Sequence, residues 1–88
     1  MRRADAHRAL LRALMARYPG LIVLASRTEP WASATFTGMR HELRCGSGVN
    51  LAGIEEVEFV LPDHVVADIA GCDRDGHVLI EALTIETC

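Results

Sequence analysis

The residues best suited to chemistry lie near the C-terminus, where a histidine and two carboxylates follow strand spacing. His64 and Asp68 are four residues apart, so their side chains share one face of a strand. If the following turn holds four residues, Glu81 of the next strand lies opposite Asp68. Two facing carboxylates repel each other unless one is protonated or a cation lies between them. This register predicts a ligand-binding or metal-binding face made of His64, Asp68 and Glu81, with a general acid and a general base.

The register of this hairpin stays open at the level of sequence. A two-residue turn at Asp75-Gly76 places Asp68 opposite Leu83 and Glu81 opposite Ala70, which separates the two carboxylates. A loop with an odd number of residues puts the two carboxylates on different faces of the sheet. We therefore favour an ordinary structural role for these side chains over a site.

Two further pairs combine a cysteine with a histidine. In the four-residue register Cys72 lies opposite His77, and His41 shares a strand face with Cys45. An imidazole beside a thiol can activate it as a nucleophile, although such a cysteine is more often a small buried hydrophobic residue. The four histidines lack the spacings typical of metal ligands, so we predict no resident metal and no cofactor.

The charges are distributed unevenly along the chain. Residues 1–44 contain eight arginines and three acidic residues, whereas residues 45–88 contain nine acidic residues and one arginine. Such asymmetry is typical either of two halves that pair with each other or of a basic surface that binds nucleic acid. The pI of about 5.7 and the absence of aromatic residues among the arginines make nucleic-acid binding the weaker hypothesis.

Composition indicates one ordinary globular domain over residues 1–88, since half of the residues are apolar and about a quarter are charged. Three cysteines without a C-x-x-C spacing favour a reducing compartment, and no signal peptide or membrane span is evident, so we expect a cytoplasmic protein. The absence of Lys and Gln beside frequent Arg and Ala is typical of a GC-rich bacterial genome.

The pattern of apolar residues predicts the elements that must position these side chains. Residues 3–18 form an amphipathic helix whose core-facing arc consists of His7, Leu10, Leu11, Leu14, Met15 and Tyr18. Residues 21–25 are a strand covered on both faces, and Glu29-Pro30 is a turn. Residues 32–45 form a second strand, in which Gly38 marks a bulge or a close backbone approach.

The second half of the chain predicts a short helix and another hairpin. Asn50 caps a helix over residues 50–56, Pro62 marks an edge or a bend, and residues 64–72 pair with residues 77–86. Sequential strands usually pair locally. The predicted fold is therefore α+β, with an N-terminal helix packed on a four-stranded antiparallel sheet in the order helix, hairpin, short helix, hairpin.

The predicted function follows from the sheet face that the helix leaves uncovered. The first and last strands are apolar on both faces, and one helix covers only one face, so we expect a second copy of the chain to cover the other. Trp31, near a hairpin tip, is a candidate contact for a partner, unless it folds back over the core.

We accordingly expect a non-enzymatic homodimeric domain that binds a protein partner or has an accessory role, without a membrane partner. The alternatives are a small-ligand or metal-binding module, or a small enzyme, that uses His64, Asp68 and Glu81. The third hypothesis is weak nucleic-acid binding through the arginine-rich first half.

Overall fold

The computed structural model describes residues 5–87, which form one helix and a five-stranded antiparallel sheet. The elements in chain order are the helix α1 (Ala6–Arg17), the strands β1 (Val23–Ala32) and β2 (Thr37–Gly46), a 3-10 turn (Ile54–Glu56), and the strands β3 (Val60–Leu61), β4 (His64–Arg74) and β5 (His77–Glu86). The order of the strands across the sheet is β1-β2-β5-β4-β3. The α+β class is confirmed, whereas the count of four strands is wrong because β3 adds a short fifth.

The helix α1 begins at a side-chain cap and packs one stripe against the sheet. The Asp5 carboxylate accepts hydrogen bonds from the backbone N–H groups of His7, at 3.0 Å, and Arg8, at 3.2 Å. These bonds satisfy donors that the first helical turn leaves unpaired, and they lower the pKa of Asp5. Leu10 and Leu14 are fully buried, but Met15 is 51% exposed, so the predicted arc extended too far on that side.

The strand β1 differs most from its prediction. It continues through Glu29 and Pro30 as far as Ala32, and the reversal of the chain lies at Ser33–Phe36 instead. Pro30 is tolerated because β1 is an edge strand, where a missing N–H costs no ladder bond. Ile22 and Leu24 are 64% and 58% exposed, so this segment is not covered on both faces as the sequence predicted.

Gly38 is the position where β2 approaches its neighbours most closely. A Cβ atom there would overlap the carbonyl oxygen of Thr84 on β5 and lie 2.7 Å from the indole Nε1 of Trp31 on β1. The pairing of β2 with both neighbours is continuous at this residue, so there is no bulge. Of the two predicted roles for Gly38, the structure shows the close approach.

The hairpin of β4 and β5 contains a two-residue turn and a bulge. Arg74 pairs with His77, which leaves Asp75-Gly76 as the turn, and Gly76 has a φ of 84°. The register shifts between Val66 and Asp68. Val66 and Ile69 are three residues apart, and both can face the core only if one extra residue is inserted into the strand between them.

The core lies between α1 and one face of the sheet. It is built mainly of aliphatic residues: Leu10, Leu14, Leu21, Leu43, Ile54, Leu61, Ile69, Val78 and Ile80, with Tyr18, Cys45 and Ala82. The opposite face of the sheet has no element packed on it within residues 5–87. In the same range no helix is long and apolar enough to cross a membrane.

Candidate functional site

The first candidate surface is the sheet face opposite α1, which we call the open face. Its side chains come from β1, β2, β5 and β4 and form four rows that run across the strands. In that strand order, the first row is Ala25, Arg44, Leu79 and Cys72, and the second is Arg27, Glu42, Glu81 and Ala70. The third row is Glu29, Arg40, Leu83 and Asp68, and the fourth is Trp31, Gly38, Ile85 and Val65. Apart from Arg44 in the first row, the charged side chains occupy the two middle rows. The aliphatic side chains of β5 are half-buried and occupy three of the four rows.

The middle of the open face brings together carboxylates that sequence reasoning did not pair. Glu42 and Glu81 lie directly opposite each other on β2 and β5. On its other side Glu42 faces Arg27, whose Nε lies 3.5 Å from Glu42 Oε1. Arg27 is largely exposed and Glu42 partly exposed, so this ion pair contributes little to stability. The Glu42–Glu81 pair could be predicted from the sequence only by predicting that β2 pairs with β5. These two strands are separated by most of the second half of the chain.

The predicted cluster of His64, Asp68 and Glu81 is not assembled. Asp68 and Glu81 share the open face as diagonal neighbours, because the two-residue turn pairs Asp68 with Leu83. His64 is 8% exposed and lies on the helix-facing side, where its Nδ1 is 2.8 Å from the carbonyl oxygen of Pro62. The bulge at Ala67 is the cause, because it reverses the alternation of side chains between His64 and Asp68.

Neither of the two predicted cysteine–histidine pairs is a direct pair in the structure, and the reason differs between them. Cys72 is exposed and pairs with Leu79, so His77 is its diagonal neighbour, not its direct partner. Cys45 and His41 do share the helix-facing side of β2, but the buried side chain of Leu43 lies between them. Burial raises the pKa of the Cys45 thiol, which therefore stays protonated at neutral pH. Neither thiol is paired with an imidazole in the way that the sequence suggested.

Trp31 lies on the open face beside Gly38 and is partly buried. Its indole Nε1 is buried and has no hydrogen-bond partner among residues 5–87. The ring thus lies over Gly38 on the side of the sheet opposite the core, so it does not fold back over the core. A role as a partner contact stays a prediction.

The second candidate site is a pair of histidines between α1 and the sheet. The Nδ1 atoms of His7 and His41 are 3.0 Å apart, and the two ring planes are parallel to within 5°. The 5.3 Å between ring centroids is the separation expected when two imidazoles face each other edge to edge. An Nδ1···Nδ1 distance of 3.0 Å is also too short for rings stacked face to face. The contact is therefore an N–H···N hydrogen bond, which requires one nitrogen to donate and the other to accept.

Hydroxyl groups extend the histidine pair at both ends. Ser26 Oγ on β1 lies 2.9 Å from His7 Nε2, and Thr84 Oγ1 on β5 lies 2.9 Å from His41 Nε2. The Thr84 hydroxyl donates to the carbonyl oxygen of Met39 over 3.5 Å, a long bond. We call this series, from Ser26 through His7, His41 and Thr84 to the Met39 carbonyl, the histidine chain.

We assign the direction of the bonds in the histidine chain from its last acceptor, the carbonyl oxygen of Met39. A carbonyl oxygen only accepts, so Thr84 donates to it and accepts from His41 Nε2–H. Burial lowers the pKa of His41 to about 4, with His7 and His64 adding to the effect, so His41 is neutral at pH 7. In this direction His41 Nδ1 accepts from His7 Nδ1–H, and His7 Nε2 accepts from the Ser26 hydroxyl.

The sequence patterns place His7 in the core-facing arc of the helix and His41 on the strand face of Cys45, without joining the two. In the structure both side chains lie between α1 and the sheet. The two residues are 34 positions apart, and only the docking of α1 on β2 brings them together. Ser26 carried no signal at all, because an isolated serine in a strand is unremarkable.

The chain matches no protein-family model, and no curated protein or solved structure shows significant similarity to it. Among residues 5–87 no three His, Cys, Asp or Glu side chains cluster in a way that could hold a metal ion.

Proposed function

We propose that the protein is a homodimeric interaction domain and that the open face is the surface through which two copies associate. The observation that carries this proposal is the order of charges in the two middle rows. On β1 Arg27 is followed in the next row by Glu29, and on β2 Glu42 is followed by Arg40. Within the two middle rows, each of these strands thus presents one positive and one negative side chain, placed about the centre of the face.

This arrangement is self-complementary about one twofold axis. Consider an axis that lies in the plane of the interface, runs across the strands and passes between the two middle rows. It exchanges the two rows, so Arg40 meets Glu42 of the second copy and Arg27 meets its Glu29. A twofold interface uses the same patch on both copies, and opposite charges then face each other at four places. Sheets packed face to face keep their strand directions within about 30°, so the match holds best near the axis.

The aliphatic residues of β5 support the same geometry. The axis places Leu79 of one copy on Ile85 of the other, and it places the stem of Glu81 on Leu83. These leucine and isoleucine side chains are half-buried within one chain, so a second copy would remove further apolar surface from water. An antiparallel sheet can also leave a polar face in water. The order of charges about the axis favours a second copy, and not solvent, as what covers the open face.

The proposal is tested by reversing one charge in each of two variants. Arg40→Glu places a carboxylate against Glu42 of the second copy, and Glu42→Arg places two guanidinium groups together, so each variant alone should be a monomer. A mixture restores opposite charges at both contacts and should form a heterodimer. Native mass spectrometry distinguishes the heterodimer from either homodimer by mass.

The matched control is Glu55→Arg, which changes the same amount of charge on the exposed 3-10 turn away from the open face. It should dimerise like the unmodified protein. A monomeric unmodified protein at about 100 μM, a concentration well above the micromolar range typical of transient contacts, would overturn the proposal. So would single variants that dimerise as well as the control.

A further inference from the structure

The exposed end of the histidine chain has the geometry of an activated nucleophile. The Ser26 hydroxyl is within hydrogen-bond distance of His7 Nε2, and His7 is held through its other nitrogen by His41. Nucleophile, base and orienting group within reach of one another form the arrangement that serine-dependent acyl transfer requires. Here a neutral imidazole replaces the carboxylate that usually orients the base.

We propose that Ser26 is a nucleophile, with His7 as its general base, and that it accepts acyl groups from small activated carboxylic esters. His41 is a positioning residue, because it touches His7 and Thr84 and not the reacting atoms. This inference does not depend on dimerisation, since Ser26 points to the helix-facing side of the sheet and the proposed interface is the other side. It also departs from the expectation of a non-enzymatic domain.

The direction of the hydrogen bonds in the histidine chain suits His7 to act as the general base. A general base must present a lone pair to the nucleophile, and a neutral histidine can present it from only one of its two nitrogens. The acceptor at His41 Nδ1 keeps the His7 proton on Nδ1. The lone pair is therefore on Nε2, 2.9 Å from the Ser26 hydroxyl.

The surroundings of Ser26 determine which substrates can reach it. Ser26 is exposed on the edge strand β1, two residues after the bulge that shifts the register between Val23 and Ala25. Bulges at sheet edges commonly re-aim a side chain beside an active site, and the outward N–H groups of an edge strand are free to stabilise an oxyanion. An open site of this kind suits a small ester with a good leaving group.

The reaction balances without a further reagent. Ser26 Oγ forms a bond to the acyl carbon of the ester while its proton moves to His7 Nε2. The bond from the acyl carbon to the leaving-group oxygen then breaks, the alcohol departs with the proton that His7 held, and Ser26 is left acylated. Water attacks the acyl group in the second half-reaction, His7 takes a proton from the water and returns it to Ser26 Oγ, and the carboxylic acid is released.

The test uses p-nitrophenyl acetate, with release of p-nitrophenolate measured by absorbance and the acetyl group located by tandem mass spectrometry. We expect acetylation at Ser26 and its loss in Ser26→Ala, which removes only an exposed hydroxyl. His7→Ala should slow acetylation by about 100-fold or more, the usual contribution of a general base. Ser47→Ala removes a different exposed serine and should keep the full rate.

The role of His41 is tested by two substitutions that differ in hydrogen bonding. The side-chain carbonyl of His41→Gln can still accept a bond from His7, whereas His41→Leu cannot. A positioning role is supported if His41→Gln keeps part of the acetylation rate and His41→Leu loses more of it. Circular dichroism checks that both variants fold. The proposal is overturned if the acetyl group is found on Cys72 or scattered over several serines at a rate that Ser26→Ala leaves unchanged.

Discussion

At the scale of single residues, the histidine chain is the feature with the clearest chemical consequences. His41 is 2% exposed. It lies in the middle of four hydrogen bonds that run in one direction, from Ser26 through His7 and His41 to Thr84 and the Met39 carbonyl. A buried polar group is tolerated only if its hydrogen bonds are made, so this series also joins α1 to the sheet. The same contacts that orient His7 therefore contribute to the stability of the fold.

The depressed pKa of His41 predicts that the protein loses stability in mild acid. The pKa falls from an ordinary value of 6.5 to about 4 in the folded state, chiefly through burial, with His7 and His64 opposing a proton and Asp5 favouring one. Between these two values the unfolded chain binds a proton that the folded chain does not. The stability contribution is thus complete above pH 6.5 and is lost as the pH falls towards 4, by up to roughly 3 kcal/mol.

Urea unfolding at several pH values measures this loss. His41→Gln should be less stable than the unmodified protein at pH 7 but should show a shallower decline between pH 7 and pH 4. His77→Gln, at the opposite face of the sheet, is the control and should keep the full decline. Parallel declines in all three proteins would show that His41 is not the group responsible.

At the scale of elements, irregular positions decide where side chains point. The bulge in β4 turns His64 inward and leaves Asp68 outward, and the bulge in β1 precedes Ser26. Gly38 has the same importance for the contact between strands, because only a residue without a Cβ lets β2 pass the Thr84 carbonyl and the Trp31 ring. At each of these positions a single residue decides which neighbouring side chains point to the helix-facing side and which to the open face, or how closely two strands approach.

Substitution of Gly38 by alanine should destabilise the protein by about 1–3 kcal/mol, the range found for overpacking a close contact. The added methyl group would overlap the Thr84 carbonyl, which is backbone and cannot rotate away. Gly46→Ala in the same strand is the matched control, because its Cβ would meet only an ordinary contact with Ile22 at 3.8 Å. Thermal or urea unfolding of the two variants measures the difference, and equal stabilities would contradict the role assigned to Gly38.

At the scale of the whole molecule, the domain has two unlike sides. One side of the sheet is covered by α1 and the 3-10 turn, and the other bears the alternating charges of the middle rows. At the level of sequence, a dimer is predicted because two strands are apolar on both faces. In the structure β1 is instead an exposed edge strand, so the proposed dimer rests on charge order and on the half-buried leucines of β5.

A dimer formed through these charges should weaken as salt is added. The Debye length falls from about 10 Å at 0.1 M salt to about 3 Å at 1 M, and contacts at the rim of the face are screened first. Sedimentation velocity across that range should show the dissociation constant rising several-fold. A constant that stays flat or falls would mean that the aliphatic side chains, and not the Arg–Glu contacts, hold the copies together.

The amino-acid sequence by itself determined the α+β class, the position of α1, the Asp-Gly turn and most of β4 and β5. These features depend on interactions between residues that are near one another in the chain, such as the period of the apolar pattern and the dihedral freedom of Gly76. They could therefore be predicted from one sequence.

Only the tertiary structure decided the pairing of β2 with β5, the bulge at Ala67 and the meeting of His7 with His41. Each of these depends on how elements far apart in the chain fit together, and a shift of one residue in a strand moves every following side chain to the other face. That is why the predicted cluster of His64, Asp68 and Glu81 does not form. It is also why the histidine chain, built from the four elements α1, β1, β2 and β5, left no local signal in the sequence.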